Sequence, residues 1–119
     1  MKTIRGLSYN STLGGSDIIT RNKMTQNPDG SVSIWVANHA QPCIVDLNVA
    51  LELAPFRVSR SSPGYFSFKD TPSTSVWVHR FVRGIPPPGW QVDHIDRDRS
   101  NNRFTNLRFL TEHENKRIS

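Results

Sequence analysis

The sequence predicts an α+β fold, and three stretches of it carry that prediction. Residues 31–37 read SVSIWVA and alternate apolar with polar side chains, as a half-buried strand does. Residues 43–56 begin like a strand and continue with apolar side chains at helical spacing. Residues 92–115 read as a strand, a polar loop, a second strand and the start of a helix. We therefore expect separate strands and helices rather than repeated βα units.

The first half of the chain is polar before it becomes apolar. Residues 1–40 form a polar segment in which one strand is indicated, with Val32, Ile34 and Val36 on its buried face. A helix is then indicated by apolar residues that recur with its period, namely Leu47, Ala50, Leu51 and Ala54. Pro55 ends this helix, since proline lacks the amide hydrogen that would continue it.

The second half alternates short strands with a rigid connector. Residues 64–68, GYFSF, indicate a strand, and residues 75–84 a strand that runs into a helix ended by glycine. Residues 85–90, IPPPGW, fit neither a helix nor a central strand. We predict one compact domain with three regions: 1–40, 41–75 as a candidate for DNA contact, and 76–119.

Composition and charge narrow the function classes. The 119 residues carry a formal net charge of +5, which favours a polyanionic partner because phosphate neutralisation releases counterions. The single cysteine, Cys43, excludes an intrachain disulfide and a cysteine-rich zinc site, so no structural zinc is expected. We interpret Cys43 as a small buried hydrophobic residue.

No stretch of the sequence predicts a membrane span or a secretory signal. A span needs about 18 apolar residues in a row, and the start of the chain, MKTIRGLSYN, has no apolar run after its charges. We therefore expect a soluble cytoplasmic protein.

Residues 92–115, VDHIDRDRSNNRFTNLRFLTEHEN, are dense in groups that do chemistry. Asp93 offers an anionic oxygen and Asn115 a neutral one, and oxygen ligands suit Mg²⁺ or Mn²⁺. His94 follows Asp93 and points to the other face of a strand, so it is available as a general base. Asn106 can fix the His94 loop or ring through a hydrogen bond. Thr111 and Glu114 form a capping box that starts a helix.

This stretch, together with VHRFVRG at residues 78–84, resembles the HNH nuclease family in its H-N-N form, which is typical of small phage and intron-encoded homing-type enzymes. The resemblance implies a ββα-metal (His-Me) finger at the C-terminus, preceded by a small mixed strand and helix region. It implies Asp93 and Asn115 as ligands of one divalent ion. It also implies His94 as general base, with Asp93 and Asn106 completing the catalytic set.

The resemblance further implies a metal-dependent DNA endonuclease in a bacterial or phage-infected cell, one that nicks double-stranded DNA. Both a monomer and a symmetric dimer remain open. Arginine forks suit phosphate, so we expect DNA contacts from the basic residues of the finger: Arg80, Arg83, Arg97, Arg99, Arg103, Arg108, Lys116 and Arg117.

Two alternatives remain open for function, and several for single residues. The chain could be a non-catalytic DNA-binding module, or a basic phage structural or regulatory protein that binds RNA or another acidic partner. Asp96 could contact a metal, although a loop hydrogen bond is favoured. We interpret Asn101 and Asn102 as turn residues, His79 as a packing residue and His113 as solvent-facing.

Overall fold

The computed structural model describes residues 8–61 and 64–114 of the chain. Over these residues the protein is a mixed α+β structure, made mostly of strands with two short α-helices. The α+β class is therefore confirmed. In the same ranges no helix has the length and apolar character needed to cross a membrane.

The N-terminal half holds a hairpin and a three-stranded sheet, both antiparallel. Their strands are β1 (Tyr9–Leu13), β2 (Ser16–Thr20), β3 (Met24–Gln26), β4 (Val32–Ile34) and β5 (Cys43–Val45). One predicted strand in residues 1–40 is therefore too few, because the described part of that segment has four. The strands escape prediction because they are short and bury polar groups in pairs: Ser11 Oγ lies 2.8 Å from Thr20 Oγ1 inside the fold.

The C-terminal half continues with α1 (Leu47–Leu53), β6 (Val58–Ser61), β7 (Tyr65–Thr71), β8 (Thr74–Trp77), α2 (Val78–Arg83), β9 (Trp90–His94), a 3-10 turn (Phe104–Asn106) and β10 (Leu107–Thr111). Strands β6, β7 and β8 form an antiparallel sheet in that order, and β9 pairs with β10. The predicted passage from strand to helix at residues 75–84 is confirmed. Gly84 ends α2 with a φ of 106°, which side chains rarely tolerate.

The buried face of α1 agrees in part with the apolar residues that indicate the helix, since Ala50 and Ala54 are buried and Leu47 packs against the core. Val49, Ala50 and Leu53 are buried, whereas Leu51 is 42% exposed. A helix of only two turns has apolar residues on most of its circumference, so its sequence does not fix the buried side. Contact with β4 decides which side faces inward.

One hydrophobic cluster joins both halves of the chain. It is built from β1, β3, β4, β5, α1, β6, β7 and α2, and its fully buried members include Ile34, Leu53, Phe66 and Val78. Val78 is the first residue of α2, and His79 follows it into the interior. The core therefore fixes the helix that lies beside the β9–β10 hairpin.

Candidate active site

The β9–β10 hairpin positions the two side chains at the centre of the predicted site. In its register His94 lies opposite Leu107, and Asp93 lies opposite Arg108. Neighbours on a strand point to opposite faces, so His94 and Asp93 leave the hairpin on different sides. His94 is 5% exposed, whereas Asp93 is half-buried.

Asp93 takes part in an ion pair across the hairpin. Nε of Arg108 donates a hydrogen bond to Oδ2 of Asp93 at 3.1 Å. Among the described residues, Oδ1 of Asp93 has no hydrogen-bond partner. The carboxylate thus keeps one oxygen for a ligand, while the guanidinium of Arg108, a predicted DNA contact, is already engaged.

Asn102 determines which nitrogen of His94 carries the proton. Nδ2 of Asn102 donates to the backbone carbonyl oxygens of Arg99, at 3.1 Å, and of Ser100, at 3.4 Å. The other end of the amide, Oδ1, lies 2.8 Å from Nε2 of His94. Since Oδ1 only accepts, Nε2 of His94 donates to it, and a neutral imidazole then has its basic lone pair on Nδ1.

Two rings contact His94, and a third ring packs against those two. The Tyr65 ring stacks on His94 with centroids 6.1 Å apart, and the His79 ring lies 5.5 Å away. Trp77 packs on Tyr65 at 5.4 Å. Burial lowers the pKa of His79 from 6.5 to about 4, with smaller contributions from the charges of His94 and Arg80. His79 is therefore neutral near pH 7 and packs in this cluster, as the sequence predicts.

Asn106 organises the loop after His94 rather than the imidazole ring. Its Nδ2 donates to Oδ1 of Asp96 and to the carbonyl of Asn101, both at 2.9 Å, and its Oδ1 accepts from the Asp96 amide at 3.2 Å. The sequence allows Asn106 to fix either the loop or the His94 ring. These contacts show that it fixes the loop.

Asp96 is the acceptor at the centre of this loop. Oδ1 of Asp96 also accepts from the Asp98 amide, and Oδ2 accepts from Nδ2 of Asn101, each at 2.8 Å. Burial raises the pKa of Asp96, but hydrogen bonds from Asn101, Asp98 and Asn106 outweigh it and leave the pKa below its ordinary value. These contacts agree with the predicted loop hydrogen bond.

The same loop is attached to β5 at Cys43 and Ile44. The Ile44 amide donates to the Ser100 carbonyl, and the Asn102 amide donates to the Ile44 carbonyl, both at 2.7 Å. Nδ2 of Asn102 lies 3.2 Å from Sγ of Cys43. Burial raises the pKa of the Cys43 thiol to about 12, so the predicted role of Cys43 as a buried apolar residue is confirmed.

A helix begins where the capping box predicts it. The Glu114 amide donates to Oγ1 of Thr111 and the Thr111 amide donates to Oε1 of Glu114, at 3.1 and 3.2 Å. Residues 112–114 are helical, and His113 is exposed, as predicted. Asn115, the second predicted metal ligand, lies outside the described residues, as do Lys116 and Arg117.

The predicted DNA contacts divide into two groups. Arg80, Arg97 and Arg99 are exposed, and the guanidinium of Arg99 lies 4.6 Å from the centre of the Tyr65 ring. Arg83, Arg103 and Arg108 hold contacts within the protein. Arg83 lies over the rings of Phe104 and Phe109, and Arg103 pairs with Asp29 at 3.0 Å.

Asn102 and Tyr65 are the residues that sequence reasoning missed at this site. Asn102 belongs to the loop sequence RSNNR, where a turn role is the ordinary interpretation. A buried asparagine, 1% exposed, must satisfy its whole amide inside the protein. That requirement becomes visible only when the loop is seen packed on β5.

Within the described residues, no three His, Cys, Asp or Glu side chains come together as a metal-binding group. The sequence comparison gives one match: a family model described as HNH endonuclease matches residues 74–117. This segment begins with β8, includes the β9–β10 hairpin and its loop, and ends beyond the helix start. No curated protein and no solved structure gives a significant match. Residues 74–117 are therefore similar to the HNH endonuclease family, and this similarity covers less than half of the chain.

Proposed function

We propose that the protein is a metal-dependent DNA endonuclease that nicks one strand by hydrolysing a phosphodiester bond. One observation carries the proposal beyond this family similarity: His94 is buried with Nε2–H bonded to Asn102, so that its basic nitrogen is Nδ1. This is the state that a general base needs. The proposal includes a ββα-metal finger, and it is supported by the order of strands β9 and β10 and of the helix that begins after Thr111.

The residues fit the divalent ion on which HNH nucleases generally depend. Oδ1 of Asp93 lacks a partner among the described residues, and oxygen from a carboxylate suits Mg²⁺ or Mn²⁺ that retains most of its waters. Asp93 and Asn115 would hold the ion in this proposal. When bound, such an ion stabilises the charge that develops on the phosphate and on the leaving 3′ oxygen.

The protein's own residues supply the proton transfer. Nδ1 of His94 removes a proton from a water that attacks phosphorus in line with the 3′ oxygen. The bond between phosphorus and the 3′ oxygen breaks, and the 3′ oxygen takes a proton from solvent water, which leaves a 5′ phosphate and a 3′ hydroxyl. Asn102 keeps Nε2 protonated and the ring in place. Asn106 acts through the loop, because its hydrogen bonds to Asp96 and Asn101 hold the segment that carries Asn102.

Duplex DNA is the proposed substrate, and the exposed arginines beside the site are its proposed first contacts. Arg80, Arg97 and Arg99 can each present a fork of donors to phosphate oxygens. Arg83 and Arg103 are proposed to support the site through their contacts with Phe109 and Asp29. Lys116 and Arg117 are kept as proposed contacts on the basis of their charge alone.

One observation favours a second candidate, a DNA-binding module without catalysis. Arg108 neutralises Asp93 across the hairpin, and a guanidinium so close competes with a cation for the carboxylate. If the pair is permanent, the finger would serve only as a scaffold for DNA contacts.

Replacing Asp93 separates the two candidates. In the endonuclease, Asp93→Asn removes the anionic ligand, so Mn²⁺ affinity and Mn²⁺-dependent plasmid cleavage should both fall by about 100-fold or more. Asp98→Asn makes the same charge change on an exposed residue of the loop that follows β9 and serves as the control. Mn²⁺ affinity is measured by calorimetric titration. If wild type and Asp93→Asn have the same Mn²⁺ affinity and both still bind DNA, the result favours the non-catalytic scaffold.

A further inference from the structure

The outward face of the β6–β7–β8 sheet carries small hydroxyl side chains and cations. The strand register places Ser67 between Ser59 and Trp77, and Lys69 beside Ser75. The opposite face holds the apolar residues Val58, Phe66, Phe68 and Val76, which pack on the core. An outward face so rich in serine allows a ligand's backbone to approach the strands closely.

This face forms one wall of a groove with a volume of about 470 Å³. Arg21, Arg57 and Lys69 bring positive charge to it, and the exposed Ser59 and Ser75 bring hydroxyl groups. The hydroxyls of Ser61 and Ser67, which also line the groove, lie 2.9 Å apart and bond to each other. None of the described residues that line the groove carries a carboxylate. Cations and hydroxyls without acids are the side chains that contact phosphate in protein–DNA interfaces.

The groove's sheet continues to the candidate active site. Tyr65 lies opposite Ser61 at the end of β7, and its ring lies 4.7 Å from His79 and 6.1 Å from His94. A second hollow of about 240 Å³ lies at this end, lined by Tyr65, Trp77, His79, Arg80, Gln91 and Val92. The outward-facing side of β7 therefore runs from Lys69 to Tyr65, whose ring lies beside those of His79 and His94.

The length of this surface suits a short stretch of nucleic acid backbone. Lys69 lies four positions after Tyr65 on β7, a distance of about 13 Å at the usual rise of a strand. B-DNA advances about 3.4 Å per nucleotide of one strand, so the surface covers about four nucleotides.

We propose that the outward face of the β6–β7–β8 sheet binds the phosphodiester backbone of duplex DNA next to the cleavage site and directs it to His94. Lys69 and Arg57 pair with phosphates, and the Ser59 and Ser75 hydroxyls donate hydrogen bonds to them. The proposal rests on the proposed function for the reaction at the end of the surface, but binding by the sheet needs no cleavage.

Two pairs of substitutions with equal charge test the surface. Ser59→Glu with Ser75→Glu places two carboxylates on the sheet face. Ser8→Glu with Ser16→Glu places two on equally exposed positions around the β1–β2 hairpin. Binding of a fluorescein-labelled DNA duplex is measured by anisotropy in EDTA, so that no cleavage occurs. The sheet pair should raise Kd about ten-fold or more through repulsion of phosphate, and the hairpin pair less than about three-fold.

Lys69→Gln is a milder second variant, because Lys69 is exposed and the change introduces no new charge. It should reduce the slope of log Kd against log salt by about the amount that one phosphate contact contributes. Thermal unfolding of each variant checks that the fold is retained. Equal binding by the two glutamate pairs, or an unchanged salt slope for Lys69→Gln, overturns the proposal.

Failure of this proposal and failure of the proposed function give different results. If wild type cleaves DNA with metal but both glutamate pairs bind alike, the sheet surface is wrong and the nuclease stands. If wild type cleaves nothing but the sheet pair alone loses binding, the surface is supported and hydrolysis is wrong.

Discussion

At the scale of single residues, the side chain that decides the chemistry of His94 is Asn102. Its amide satisfies two backbone carbonyls with one end and the Nε2 hydrogen of His94 with the other. Because Asn102 is 1% exposed, water cannot replace these bonds. The imidazole of His94 is thus held in one tautomer in the free protein.

Replacing Asn102 by leucine should therefore change both stability and the state of His94. Loss of the amide removes the partner of the buried Nε2 hydrogen of His94 and the Asn102 donor to the Arg99 carbonyl, so the free energy of unfolding should fall by about 2 kcal/mol. Urea unfolding measures that loss, and imidazole ¹⁵N NMR measures the tautomer, which should be Nε2–H in wild type and mixed in the variant. Asn10→Leu on the exposed side of β1 is the control. An Nδ1–H tautomer in wild type would contradict the assignment.

His79 should make the fold sensitive to acid. Its pKa is about 4 in the folded protein and 6.5 ordinarily, so the unfolded chain binds more protons between these values. The contribution of neutral His79 to the free energy of unfolding is fully present above pH 6.5 and is lost as the pH falls towards 4. The loss is on the order of 3 kcal/mol.

Urea unfolding at several pH values tests the assignment of that acid sensitivity to His79. His79→Phe keeps an aromatic ring beside Tyr65 and cannot be protonated, so its stability should depend less on pH over this range. His94 and Arg80 are the charged neighbours that remain in both proteins. Parallel pH profiles for wild type and variant would assign the acid sensitivity to another group.

At the scale of elements, the site depends on how the loop between β9 and β10 is attached. Asn106 bonds to Asp96 and Asn101 within the loop, and the backbone bonds between Ile44 and residues 100 and 102 attach it to β5. The loop that carries Asn102 is thus connected both to its own hairpin and to the N-terminal sheet.

Removing the Asn106 side chain should loosen this loop without disturbing the rest of the fold. In Asn106→Ala, hydrogen exchange at the amides of Ile44 and Asn102 should accelerate by about ten-fold or more, since a lost buried hydrogen bond costs about 1–3 kcal/mol. The amides of the β1–β2 hairpin, which lie outside this network, provide the internal control. Uniform acceleration across both regions would instead indicate a global loss of stability.

At the scale of the whole molecule, the sequence predicts local elements better than the contacts between them. The strand-to-helix passage before Gly84, the hairpin around His94 and the capping box of Thr111 follow from patterns within a few residues of each other. The N-terminal strands escape prediction because polar pairs such as Ser11 and Thr20 occupy buried positions.

The contacts that shape the candidate site join distant parts of the chain, which no local pattern encodes. Asn102 contacts Cys43 across 59 positions of sequence, and the ring of Tyr65 reaches His94 from another sheet. The residue types of the site are therefore predictable from the sequence, but the supports of His94 become visible only in the folded molecule.

The most direct test of the proposed nuclease activity is a nicking assay on supercoiled plasmid. It compares wild type, His94→Gln and the control His113→Gln, which changes an exposed histidine. Each protein is incubated with Mg²⁺, with Mn²⁺ and with EDTA. We predict metal-dependent open circles from wild type and His113→Gln, and a rate about 100-fold or more lower for His94→Gln, because a general base contributes at least that factor. Nicking by His94→Gln at the wild-type rate, or by wild type in EDTA, would contradict the account.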